Sequence, residues 1–251
     1  MATLDREHVL DELEILATIE HALIVEYLSI CCALGHDLEA DEGGPTTDGG
    51  RDAAAAASNL AQNEMFHFKG INRALVSSGR SPRLDRAEGI PDLSGHALPV
   101  PPDQVGLEQL LEREKAIATA VDDRYTRLAP TVTTQPVFEA ELLDEWRTVI
   151  VDSGPTHLGE LAELQSVLQV LAPADFLRAT RRSANDSFEQ RLLDTNDRTY
   201  GLVMSAVQGT FDPDFAVAGA FRGIAVSAMM TLDDSNRVLV QRGLLPGFPV
   251  L

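Results

Sequence analysis

Cysteine is almost missing from this chain. The two present among 251 residues, Cys31 and Cys32, are adjacent, and helix neighbours point about 100° apart, so no disulfide framework exists. Positive charge is also scarce: 20 Lys and Arg face 39 Asp and Glu, a net charge of −19. Such a surface repels phosphates, which argues against nucleic acid and anionic membrane as partners. No run of 18 apolar residues predicts a membrane span, and "MATLDREHVLDELEIL" at the start is charged where a signal peptide would be apolar. The expectation is a cytoplasmic protein. No GxGxxG, P-loop, Ser-centred elbow or CxxC is found, nor a repeat of fixed period. Strand-period alternation of useful length is missing too.

What is present is helical patterning. Apolar residues make up 44% and charged residues 24%, as in ordinary soluble domains, and the length suits one large domain or two small ones. The first helix is predicted over about 5–37, striped by Val9, Leu13, Leu16, Leu23, Tyr27, Ile30 and Leu34. The second spans about 51–78 and stops at "SSGRSP", where Gly79 and Pro82 break it. A connection with five prolines follows, over 80–106. So long a connection is uncommon in a compact domain unless a bundle needs a crossover along its length. The third helix covers about 107–128 and the fourth about 136–169, with Pro155 expected to bend it. Two further amphipathic stretches cover about 185–208 (Phe188, Leu192, Leu202, Ala206) and 213–235 (Phe221, Ala225, Met229, Leu232). The expected fold is all-α: a four-helix bundle with one long crossover over 1–170, and a helical extension over 171–251 packed on it.

Each main helix carries an ionisable residue where its stripe should be apolar. Glu20 lies between Leu16 and Leu23, and Glu64 and His67 sit on the line Leu60, Ile71, Leu75. Glu114 interrupts Leu110 and Ile117, and His157 falls between Ile150 and Leu161. A carboxylate buried without a partner is costly, and divalent metal would give all five one reason. The known arrangement is one Glu from each of two helices and Glu-x-x-His from each of the other two. The fourth helix departs from it, since Gly154 stands three residues before His157. Asp152 and Glu160 are the candidates for the missing carboxylate. Blander readings stand beside these. Glu114 could pair with Arg113 or Lys115, and His157 could be a hydrogen-bonded core histidine. Glu26 reads as a surface or interface residue, His21 as solvent-exposed, and Tyr27 as core filler at the edge of the same interior.

These segments resemble a known family. "ILATIEHALIVEYLSI", "NEMFHFKGINRALVSSGRSPRL", "LEQLLEREKAI" and "HLGELAEL" are similar to the ferritin-like domain of the iminophenyl-pyruvate dimer synthases of bisindole pigment biosynthesis. The resemblance covers about residues 10–170. It implies metal at Glu20, Glu64, His67, Glu114 and His157, with Asp152 where the family more often has Glu. The expected function is a non-haem iron oxidase or oxygenase, with two iron ions (manganese the alternative), acting with O₂ on a small organic molecule in secondary metabolism. A non-catalytic binding or structural module, or iron storage and detoxification, are the other readings. Surplus apolar residues in the last two helices suggest a homodimer.

Overall fold

The computed structural model describes residues 5–36, 38–91, 93, 97–98, 106–134, 147–171 and 175–249. Six helices are described: α1 (Arg6–Ala33), α2 (Asp48–Ser77), α3 (Leu107–Thr134), α4 (His157–Leu168), α5 (Ser187–Gly209) and α6 (Phe215–Gln241). Among the described residues no β-strand occurs, only two isolated bridges. Side-chain oxygens start the helices by accepting otherwise unpaired N–H groups. Asp5 accepts from His8 N, Thr47 from Gly50 N, Asp186 from Phe188 N and Glu189 N, and Asp214 from Ala216 N and Val217 N. Gly79 ends α2 at φ +83°, with Gly79 N–H bonded to Val76 O and Arg80 N–H to Leu75 O. That pair of bonds requires a left-handed residue, which only Gly adopts freely.

α1 and α2 pack along their lengths, and α4 lies against α2 and α3. One aliphatic core fills the space between these four helices, with Leu13, Leu16, Leu23, Ile71, Leu75, Ile117, Val121, Leu161 and Leu164 all buried. The fourth helix differs from the sequence expectation. Its stretch over 136–146 lies outside the described residues, and Arg147–Ser153 forms a π-helical turn. Gly154–Thr156 follows with Pro155 at ψ 39°, outside helical geometry, so regular α-helix begins only at His157. The break comes where Pro removes a hydrogen bond and crowds the preceding turn. Gly70 lets this turn approach α2 closely, because a Cβ there would meet Val149 Cγ2 at 2.4 Å.

α5 and α6 pair as a hairpin and dock through Tyr200, Val203, Met204, Ala228 and Leu232 onto Ile24, Val25 and Phe68 of the bundle. The buried face of α5 is rotated from the expected one, leaving Phe188 43% and Leu202 52% exposed. α1 and α6 are each long and apolar enough to cross a membrane by length and composition, which a search for uninterrupted apolar runs misses. The apolar stretch of α1 is 83% buried inside the bundle, whereas that of α6 is only 17% buried.

The hairpin is anchored by Glu189 in the first turn of α5. Its carboxylate accepts from Arg182 at 2.9 and 3.1 Å and from Asn185 N at 2.7 Å. These bonds hold its pKa at about 2. A carboxyl depressed in the folded state stabilises the fold above its unfolded pKa and loses that contribution as pH falls through the folded one. Glu189→Gln is therefore expected to lower the Tm at neutral pH, with the gap to wild type closing as the pH approaches 2. Thermal melts across that range check it, and a gap independent of pH would contradict it.

Candidate metal centre

Three helices deliver four side chains to one point in the bundle. Glu20 comes from α1, Glu64 and His67 from α2, and His157 from the first residue of α4. One ligand atom from each lies within 4.8 Å of the others, and all four residues are at most 2% exposed. His67 Nδ1 stands 3.3 Å from Glu64 Oε2 and 3.7 Å from Glu20 Oε2. His157 Nε2 stands 3.2 Å from Glu64 Oε2 and 3.7 Å from Glu20 Oε1. Residues three apart on a helix share a face, which explains the Glu64–His67 half of the site.

The electrostatics follow from this crowding. Burial alone would raise the Glu20 pKa, but the adjoining His157 and His67 hold it well below the ordinary carboxylate range. Glu64 is raised, by burial and by the charge of Glu20. Burial would lower His67, yet Glu20 and Glu64 push it up to about 9, and His157 is raised well above its usual value by Glu64 and Asp122. Glu20 Oε2 and Glu64 Oε1 are buried without any hydrogen-bond partner. Buried polar atoms are rarely left so. Two carboxylates with orphaned oxygens beside two imidazoles fit a divalent cation in charge and in donor type.

Two residues that the sequence reading did not single out complete the site. Asp122 Oδ1 accepts from His157 Nδ1 at 2.9 Å, which turns Nε2 and its lone pair toward the carboxylates. The same side chain accepts from His157 N and Leu158 N, capping α4 from α3. Such a carboxylate behind a histidine fixes tautomer and ring orientation. Asp122→Asn is expected to weaken metal binding by about 10–100-fold, measured by competition with a chelating dye; unchanged affinity would refute it. Tyr125, also on α3, donates to Glu20 Oε1 at 2.5 Å. Its ring occupies the space beside Gly154, where a Cβ would lie 2.3 Å from Tyr125 Cδ1. The position that should carry the fourth-helix Glu is thus filled by a tyrosine ring from the neighbouring helix.

The other proposed ligands do not reach the group. Asp152 is exposed on the π-helical turn. Glu160 accepts from Asn63 Nδ2 at 3.0 Å and Thr156 Oγ1 at 2.9 Å instead. Glu114 is buried but stands one layer away, because α3 presents Tyr125, not Glu114, to Glu20. Eleven residues separate the two, about 16 Å along a helix. Glu114 lies beside Glu26 and Tyr27, and burial and Glu26 raise its pKa well above the usual value. Glu26 is not a surface residue: it is fully buried, with Arg113 bonded to both its oxygens at 3.2 and 3.3 Å. His21 is likewise only 4% exposed. Sequence spacing could not pair Glu26 with a residue 87 positions away, though Tyr125 lay on the third helix's apolar stripe, four after Val121.

A family model described as ferritin-like matches residues 13–122. No curated protein and no solved structure matches the chain. The match includes Glu20, Glu64 and His67 and stops short of His157. Together with the helix order it fits an all-α bundle of ferritin-like type with a buried Glu/His cluster that could hold a metal ion.

Proposed function

We propose that the chain binds one divalent transition-metal ion through Glu20, Glu64, His67 and His157 and uses it in an O₂-dependent oxidation of a small organic molecule. The observation that carries this reading is the buried set of two carboxylates and two imidazoles within 4.8 Å. Mixed carboxylate and imidazole donors suit iron, with manganese the alternative. One ion is favoured over the two expected from the sequence because only four ligand side chains converge within 4.8 Å among the described residues. When bound, iron supplies the redox chemistry with O₂. The chain's own residues hold and shield it: Asp122 orients His157, Tyr125 holds Glu20 by its hydroxyl, and the aliphatic core keeps bulk water out. The resemblance to the dimer-synthase domain supports a substrate from secondary metabolism.

Anaerobic ferrous loading of metal-free protein should give about one iron per chain, the count expected of a single site. Admitting air should then consume O₂. Protein that retains no iron overturns the metal assignment, and iron without O₂ uptake overturns the oxidase. A second reading rests on the same contacts: with His67 and His157 each 3.2–3.7 Å from Glu20 and Glu64, the four side chains would form an ion-pair cluster in a structural or binding module, indifferent to metal.

We also infer a homodimer in which a second copy covers α6, whose Phe215, Val226 and Met230 are 90%, 53% and 68% exposed. Val226 and Met230 lie one turn apart on the same face, and exposed apolar surface marks an interaction site. Light scattering should report twice the chain mass, and V226E with M230E should report one; a monomeric wild type refutes this.

A further inference from the structure

Outside the metal centre, α1, α2, α5, α6 and the turn at Thr210 and Phe211 line a partly open cavity of about 170 Å³. Its lining includes Ile24, Met65, Phe68, Val203, Met204 and Met229, and it is almost wholly apolar. Its position follows from helix geometry. His21, Met65 and Phe68 each come one residue after Glu20, Glu64 and His67, so they point about 100° away from the ligands. The cavity therefore lies behind the two ligand-bearing helices, where the α5–α6 hairpin covers them.

The few polar groups at its wall are already engaged. His21 Nδ1 donates to the Leu84 carbonyl at 2.8 Å, which leaves Nε2 to accept the Tyr200 hydroxyl at 2.5 Å. Lys69 lines the mouth from an exposed position. A charged guest would find no buried counter-charge inside, whereas an apolar one displaces no hydrogen bond. An apolar cavity of about 150 Å³ is enough to stay dry and bind benzene. Methionine side chains adapt their shape to a guest, and their sulfurs make favourable contacts with aromatic rings.

We propose that this cavity is a binding site for an uncharged, apolar small molecule of about one aromatic ring, distinct from the metal centre and independent of its occupancy. The methionines provide the probe. Of the five in the chain, Met65, Met204 and Met229 line the cavity, whereas Met230 points to solvent at 68% exposure.

Titrating toluene into protein labelled with ¹³C at the methionine methyls should shift Met65, Met204 and Met229 saturably, leave Met230 in place, and raise the Tm. Val207→Phe projects a ring into the cavity and should weaken toluene binding at least tenfold. Val203→Phe fills it from another side and serves if the first variant does not fold. Three results would overturn the proposal: no saturable shift, shifts as large at Met230 as at the lining methionines, or toluene binding by a folded filled variant at wild-type strength. A preference for benzoate over toluene would overturn the uncharged class.

Discussion

Glu64→Ala is expected to abolish stoichiometric metal binding. Loss of a carboxylate that only orients a ligand costs about 10–100-fold in affinity, and loss of one that touches both imidazoles, at 3.3 and 3.2 Å, should exceed it. Ferrous or manganous ion at about 100 times its Kd should stabilise wild type by about 2.7 kcal/mol and leave the variant unmoved. Without metal the variant should still be less stable, since removing one partner of a buried charge pair costs about 3–5 kcal/mol. The two readings of the cluster separate here. A metal site predicts a metal-dependent Tm in wild type and none in Glu64→Ala. A closed ion-pair cluster predicts that metal changes neither, and that result would remove the proposed function.

Gly154→Ala is the second change with a large expected effect. The added methyl would lie 2.3 Å from Tyr125 Cδ1 and 2.6 Å from the Val149 carbonyl oxygen, and backbone cannot yield cheaply. Overpacking of this kind costs about 1–3 kcal/mol. Displacing the Tyr125 ring also disturbs its bond to Glu20, so metal affinity should fall together with stability. Gly154→Glu restores the Glu-x-x-His spacing in sequence yet should gain no second ion. Tyr125→Ala alone should also destabilise, because it empties a buried site, but the double variant should lose less than the sum of the two single losses, a non-additivity expected of side chains in contact. Denaturant unfolding of the two single variants and the double measures it. Wild-type stability in Gly154→Ala would refute the account.

Much of the bundle was legible because helical stripes repeat locally. The starts of α1, α2, α5 and α6, the stop at Gly79 and the bend at Pro155 follow from residues within a few positions of one another, whereas α6 runs to Gln241, six residues beyond its expected end, and α1 stops at Ala33, short of the expected 37. Glu20, Glu64, His67 and His157 stood out by interrupting apolar stripes, and the structure brings these four together. Glu114 interrupted a stripe in the same way, but its distance from Glu20 depends on how α3 slides against α1. That register is a tertiary quantity which no stripe encodes. His21, which reads as solvent-exposed, and Glu26, which reads as a surface or interface residue, are both buried for a related reason. α1 is covered on nearly every side, by α2, by the crossover at Leu84 and by Tyr200 of α5. A helix covered all round buries even the residues off its main stripe. Asp122 lies just off the buried face of α3 and shows its role only when α4 begins opposite it.

Arg113 gives the bundle interior two polar layers with different needs. Around Glu26 the counter-charge belongs to the chain itself, through Arg113, whereas both oxygens of Glu114 are buried without a hydrogen-bond partner. Around Glu20 and Glu64 the counter-charge must come from protons on two histidines or from an ion in solution. A protein built this way closes the Glu26 charge with its own arginine before any metal arrives, and leaves the Glu20 and Glu64 layer as the place where an ion changes the balance.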